Sequence, residues 1–337
     1  MSGDFRTAVE LSPSRETTVS GNSVRRALPQ RNRRTVGAWC FADHLGPIES
    51  GEHEPRGIGP HPHTGLHTVT WLVSGQLLHR DSLGSEETIR PGQLNLMTAG
   101  AGISHAEEQV VARSGALHGI QLWVAQPERT RHGEGAFEHH DELPQAAYGH
   151  GTATVLVGAL GSTVSPARRD TDMVGIDLDL RPGATSLPLD PAFEHALVVL
   201  TGAAEVGDRR ITPGHLAYLG LGRDELALTT TQVTRLLLLG GTPFESPIVM
   251  WWNFVGRSHE ELFDASMEWN AGVRRFGETG SPLDRIPAPV PPWRRDGGTG
   301  TAATGRFPGL DKGRPVQGAD TEAVNGRSAE DWPTDKV

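Results

Sequence analysis

Short apolar runs separated by Gly, Pro and Asp recur along the chain, and almost none has a helical period. VGAWCF (36–41), HTVTWLV (67–73), QLLHRD (76–81), QLNLMT (93–98) and LHGIQLWVA (117–125) are short, and several are rich in β-branched or aromatic residues. That pattern predicts strands. Residues 126–147 are polar. A second set of runs follows them: ATVLVGAL (153–160), MVGIDLDL (173–180), HALVVLTG (195–202), HLAYLGL (215–221) and TRLLLLGG (234–241).

The two sets read as an internal repeat. WLVSG ends at Gly75 and RPGQLNLM opens at Arg90, while VVLTG ends at Gly202 and TPGHLAYL opens at Thr212. In both, a strand ends at Gly, a hairpin follows, and a Pro-Gly turn starts the next strand. The expected architecture is all-β, with two similar barrels joined within 126–147. One helix is predicted, over 258–272. Ser258 is placed to cap it, Glu261 sits three residues later, and Leu262, Ala265 and Trp269 share a face. The apolar PIVMWWNFVG (247–256) is expected to pack between the units. Residues 1–20 read as a flexible arm or edge strand, 21–140 as the first barrel, and 141–280 as the second barrel with the helix. Residues 281–337 read as a disordered Pro/Gly-rich tail, too poor in apolar residues to offset the entropy of ordering.

Composition narrows the function classes. A chain of 337 residues suits two domains and needs no disulfide staple; its one cysteine, Cys40, cannot form an internal bridge. The opening MSGDFRTAVELS has no apolar run of the secretory kind, and no stretch approaches the roughly 18 apolar residues of a membrane span. A cytoplasmic protein without membrane contact is expected. The formal net charge is −10, and the one basic cluster, RRALPQRNRR (25–34), reads as a solvated loop and not a nucleic-acid arm.

The chemistry lies in HPHTGLHTVTWLVSG (61–75) and MTAGAGISHAEE (97–108). Side chains two apart on a strand share a face, so His61 with His63, and His105 with Glu107, can both point into one barrel. Three imidazoles and a carboxylate form a borderline ligand set that suits Fe(II), Mn, Ni, Cu or Zn better than Ca or Mg. His67 shares the parity of His63 and lines the cavity unless Gly65 bulges the strand. His118 is read either as a residue behind the ligands or as a core histidine. HRDSLG (79–84) is read as a hairpin turn with solvated charges. Aligning Gly202 on Gly75 puts Pro188 and Asp190 where the histidine pair would be, which leaves the second barrel without a site.

The order HPH…TVTWLVSG…HRDSLGS…IRPGQLNLMTAGAGISHAE…LHGIQLWV, followed by PIVMWWNFVGRSHEEL and RFGE, resembles the pirin family, a branch of the cupins. The likeness covers about residues 20–278. It implies two stacked jelly-roll barrels, with one iron in the first held by His61, His63, His105 and Glu107. It implies one of two activities. One is quercetin 2,3-dioxygenase-type cleavage of a flavonol by O2, with Glu107 as the base that takes the flavonol's proton. The other is a redox-sensing regulatory role with a protein partner. His67 stands where many members carry a Glu, which puts any substrate contact of that Glu in doubt.

Overall fold

The computed structural model describes residues 8–48, 57–110 and 116–293 of the chain. LHGIQLWVA, MVGIDLDL and TRLLLLGG form strands over the predicted spans, Leu117–Ala125, Met173–Leu180 and Thr234–Gly241. These runs are apolar on both faces because both faces are covered. One looks into its own barrel and the other looks at the opposite barrel.

Each barrel is a seven-stranded sheet facing a four-stranded one. In the first barrel the large sheet runs Ala136–His140, Leu94–Thr98, Leu66–Ser74, Leu117–Ala125, Trp39–Ile48, Asn22–Leu28, Arg15–Val19. Its small sheet runs Gly57–His63, Ile103–Gln109, Leu77–Asp81, Glu86–Ile89. The second barrel repeats the order. Its small sheet is Gly183–Pro188, Glu225–Thr230, Ala204–Val206, Arg209–Ile211. The predicted repeat is therefore visible strand for strand except at one edge, where Ala136–His140 of the first barrel is matched in the second by Glu10–Pro13 of the N-terminal segment.

The two large sheets pack face to face. Between them lies a core built from Trp39, Trp71, Leu96 and Leu122 on one side and Val198, Leu216, Leu237 and Leu239 on the other. Trp39 is the anchor. It is fully buried, and its indole N–H points at the carbonyls of Val174 (3.1 Å) and Gly240 (3.2 Å) of the second barrel. Gly175 makes this possible, because a Cβ there would lie 2.8 Å from the Trp39 ring.

The N-terminal segment does not form a loose arm. Glu10–Pro13 is an edge strand of the second barrel, paired with His215–Tyr218, while Arg15–Val19 hairpins with Asn22–Leu28 in the first. The segment thus ties the barrels together. The basic cluster is a solvated loop only from Pro29 to Arg34, where Arg31 and Asn32 are exposed; its first residues lie on the strand Asn22–Leu28. Arg26 is buried and grips Asp43 through two bonds of 2.8 and 2.7 Å.

The helix is His259–Asn270, capped by Ser258, whose hydroxyl accepts from the Glu261 N–H. Leu262, Ala265 and Trp269 are buried, as their spacing predicts. The Glu261 carboxylate accepts from Arg257 N–H and pairs with Arg131, so only half of a capping box forms. The preceding hairpin, Val249–Trp251 with Phe254–Gly256, does not sit between the barrels. It packs on the first one, where Phe254 bridges Thr64 and Val255 joins Cys40, Phe41 and Leu66.

Residues 281–293, placed in the tail by their composition, instead pack on the helix and hairpin. The Trp269, Trp251 and Trp293 indoles donate to Ile286, Pro289 and His259 carbonyls at 2.8, 2.9 and 2.9 Å. A Pro-rich segment offers few N–H groups but many carbonyls, and indole N–H groups suit them. The rest of the expected tail, 294–337, lies outside the described residues. Among the described residues no helix is long and apolar enough to cross a membrane.

Candidate metal centre

Two neighbouring strands of the first barrel's small sheet bring the histidines together. In the antiparallel pair Gly57–His63 and Ile103–Gln109, His105 lies directly opposite His61, and His63 lies opposite Ile103. A bulge between His105 and Glu107 shifts the register there. One nitrogen from each of His61, His63 and His105 falls within 4.8 Å of the other two, and all three side chains are buried. The Nε2 atoms of His63 and His105 are 3.1 Å apart.

The opposite ring nitrogens fix the tautomers. His61 Nδ1 is 2.8 Å from the Gly59 carbonyl, and His63 Nδ1 is 3.0 Å from the Asn253 carbonyl. A carbonyl only accepts, so each Nδ1 carries the proton and each Nε2 presents a lone pair to the common point. The Asn253 carbonyl is aimed there by a tight turn in which Trp252 takes a left-handed φ of 50°. That conformation is costly for a bulky side chain and characteristic of functional sites.

Burial pushes the His61 imidazole down to about 4, against the opposing bond to Gly59. Burial also holds His63 and His105 well below the usual histidine range, and the neighbouring imidazoles add to it. At neutral pH the cluster is uncharged and available to a cation. The donor set fits a transition ion: borderline nitrogen ligands, converging lone pairs, and no proton to displace.

Glu107 lies on the same strand and lines the same cavity, but its carboxylate stands outside the three-histidine cluster. Burial raises its pKa, opposed by His79 and by a hydrogen bond from Thr70. The Thr70 hydroxyl is 3.5 Å from Glu107 and 2.9 Å from Gln121. It has one proton, so Gln121 is its better acceptor.

The cavity holds about 640 Å³. Its walls include Phe41, Ile58, Gln121, Trp123 and Trp252, and Ile286 from the C-terminal segment. Phe41 and Trp123 stack at 3.9 Å, and His63 meets Trp123 edge-on at 5.2 Å. A second cavity of about 460 Å³ shares Phe41, Trp123 and Trp252 with the first.

His67 and His118 do not join the cluster. Gly65 has φ +69° and lies against Val255, a close approach that interrupts the chain between the two strands. Parity is lost there, and His67 points to Thr98 (2.9 Å) and to Asp170 of the second half (3.1 Å). His118 turns the same way, toward His44 at 2.8 Å between Nε2 atoms. Trp123 is a cavity wall, whereas Trp71 and Leu96 belong to the core between the barrels and Met97 to a smaller cluster.

The HRD of HRDSLG is not a solvated turn. His79 and Asp81 are buried, 3.1 Å apart, and His79 Nδ1 is 3.3 Å from His105 Nδ1. Their spacing is the same i, i+2 pairing that marks the ligands. It was the one signal in the sequence that could have found them.

The second barrel has apolar residues instead. Leu187, Leu226 and Leu228, on the strands corresponding to those of the histidines, fill its interior with Ala204 and Val206. Among the described residues no other cluster of potential metal ligands occurs.

Fold and site together define a bicupin with one metal-binding barrel and one sealed barrel. The pirin family description matches residues 21–124, and that of the pirin C-terminal cupin domain matches 175–277. A Pseudomonas aeruginosa protein named "Putative quercetin 2,3-dioxygenase" is 47% identical over 82% of this chain and 88% of its own. A pirin-like protein of Caulobacter vibrioides is 33% identical over 77% and 92%. The crystal structure of a quercetin 2,3-dioxygenase from Acinetobacter baumannii is 41% identical, with a TM-score of 0.80 over 84% of this chain and 96% of that one. The chain belongs to the pirin family.

Proposed function

We propose that the protein is an Fe(II)-dependent oxygenase that cleaves flavonols with O2, opening the heterocycle and releasing carbon monoxide. The observation that carries the proposal is the set of three buried histidines, two of them held Nδ1-protonated by backbone carbonyls, converging on a cavity of about 640 Å³. That volume is in the range of small-molecule sites. The 41% identity to a solved quercetin 2,3-dioxygenase supports the substrate class.

His61, His63 and His105 would hold the metal, with Glu107 as a fourth ligand when its carboxylate turns toward them. When bound, such an ion acidifies a hydroxyl that contacts it and activates O2. The chain's own residues supply the remainder. Glu107 accepts the proton of the flavonol 3-hydroxyl, a role suited to a carboxyl group whose pKa burial has raised. Phe41, Trp123 and Trp252 offer aromatic faces to the planar rings and exclude water. Gln121, whose side-chain carbonyl accepts from Thr70, keeps its amide N–H groups to orient the ring oxygens.

The test is direct. Protein loaded anaerobically with Fe(II) is mixed with quercetin in air, the flavonol absorbance is followed, and carbon monoxide is trapped. Loss of the band with carbon monoxide release is expected, and His61→Ala should abolish both. A loaded protein that turns over no flavonol faster than His61→Ala sinks the enzymatic reading. In that case a pull-down partner that depends on iron oxidation state would support the regulatory role of an iron-dependent redox sensor.

A further inference from the structure

We infer that His79 and Asp81 are positioning residues that set the tautomer of His105 and tie it to a buried carboxylate. This rests on the metal-site reading above but not on the flavonol activity. His61 and His63 are each held by a backbone carbonyl, which is neutral and fixed. His105 is held differently. Its Nδ1 lies 3.3 Å from His79 Nδ1, and His79 Nε2 lies 3.1 Å from Asp81 Oδ2.

Donor chemistry orders the chain in one direction. An ionised carboxylate only accepts, so His79 Nε2 carries a proton. With one proton on the ring, at Nε2, Nδ1 keeps a lone pair that accepts from His105 Nδ1–H. His105 Nε2 is left bare and faces the other ligands. With the opposite His79 tautomer, two N–H groups would meet and His105 would carry its proton on the metal side.

The dyad is built in firmly. Asp81 Oδ1 accepts from the backbone N–H groups of Leu83 (2.9 Å) and Ser85 (3.0 Å), leaving Oδ2 for His79. The His79 ring stacks on Phe137 at 4.4 Å and 13°. His79, Asp81 and His105 are 4%, 2% and 1% exposed, so water does not substitute for any bond in the chain. The second barrel gives an internal control. Where its ligand strands carry Leu226 and Leu228, the strand corresponding to Leu77–Asp81 buries Ala204 and Val206. The dyad and the ligands are absent together.

Co(II) is the probe, because its visible spectrum reports ligand geometry without turnover. Asp81→Asn keeps the acceptor for Leu83 and Ser85 but presents an amide N–H to His79, which reverses the tautomer. His79→Leu removes the acceptor for His105. His79→Gln restores an acceptor, its side-chain carbonyl, without the carboxylate behind it. We expect Asp81→Asn and His79→Leu to lose about 10- to 100-fold in Co(II) affinity with a changed ligand-field spectrum. His79→Gln should recover affinity to within several-fold of wild type, whereas a merely structural role would give no such ordering. Wild-type affinity and spectrum in Asp81→Asn and His79→Leu would overturn the inference. Failure of the wild type to bind Co(II) would take the metal site with it. Tight Co(II) binding without flavonol cleavage would remove only the enzymatic reading.

Discussion

Replacing His195 with leucine should raise stability at neutral pH and remove a defined share of the acid sensitivity. His195 is 1% exposed in the second barrel, and neither ring nitrogen makes a hydrogen bond of good geometry, the Phe193 backbone giving only a weak contact. Its Cδ2 sits 2.6 Å from where a Cβ on Gly240 would fall, so the ring is closely enclosed. A buried polar group left unpaired costs about 1–3 kcal/mol. Leucine is close in volume, and imperfect shape returns part of that gain, so a net rise on the order of 1 kcal/mol is expected near pH 7.5. The larger effect is on pH dependence. Burial pushes the imidazole down to about 4, with Asp190 opposing and Arg223 adding. In the unfolded chain it returns to about 6.5. A folded pKa below the unfolded one means that unfolding takes up a proton. The site is therefore silent above about pH 6.5 and destabilises increasingly as pH falls toward the folded value. At about pH 5 this single site contributes about 2 kcal/mol of instability. Urea unfolding followed by tryptophan fluorescence at about pH 7.5 and about pH 5 tests this. The loss of stability between the two should be about 2 kcal/mol smaller in His195→Leu than in wild type. Other buried histidines titrate in both proteins and cancel in the difference. Equal losses, within about 0.5 kcal/mol, would refute the reasoning and mean that the ring reaches solvent or a proton acceptor.

Trp39→Ala should cost about 3–5 kcal/mol in denaturant unfolding, from the cavity and from the Val174 and Gly240 carbonyls left without their indole donor. Arg26→Met should cost about 3–5 kcal/mol because Asp43 stays buried and unpaired, and adding Asp43→Leu should restore most of it in a double-mutant cycle. Glu107→Gln should leave the metal content near that of wild type, by elemental analysis, while flavonol turnover falls about 10²- to 10⁴-fold. Equal loss of metal and turnover would instead make Glu107 a principal ligand.

What was legible in the sequence depended on period two. His61 with His63, and His105 with Glu107, could be placed on common strand faces from their spacing alone, although a bulge against the neighbouring strand shifts the register between His105 and Glu107. The same rule applied to His79 and Asp81, but Arg80 between them made the triplet look like a charged turn. In the fold Arg80 faces outward to Glu86 and Glu108, and the alternation holds. His67 failed for the opposite reason: the left-handed Gly65 resets the parity four residues after His63. Other features lie between segments far apart in the chain. Arg26 and Asp43 meet because their strands pair, and no spacing signals that. Residues 281–293 carry Leu283, Ile286, Ala288, Val290 and Trp293, but the interspersed prolines give them neither helical nor strand period to announce packing, while their carbonyls satisfy indoles and Asn270.

The two barrels compare a filled interior with a functional one on a single scaffold. Strand order is the same, so topology alone does not make a metal site. Burying one histidine pair in an otherwise apolar barrel would leave ring nitrogens without partners, at a cost of about 1–3 kcal/mol each. His195 shows that condition in the second barrel. The first barrel avoids it because its polar residues come as a set. Two ligand nitrogens use backbone carbonyls, the third uses His79, and His79 uses Asp81, whose other oxygen uses two backbone N–H groups. Each member satisfies the next, and only the three Nε2 atoms remain open. Partial loss of such a network leaves buried groups unpaired, whereas wholesale replacement by Leu, Ala and Val does not. This chain contains one interior of each kind, a connected polar network in the first barrel and a largely apolar core in the second, where His195 is the exception.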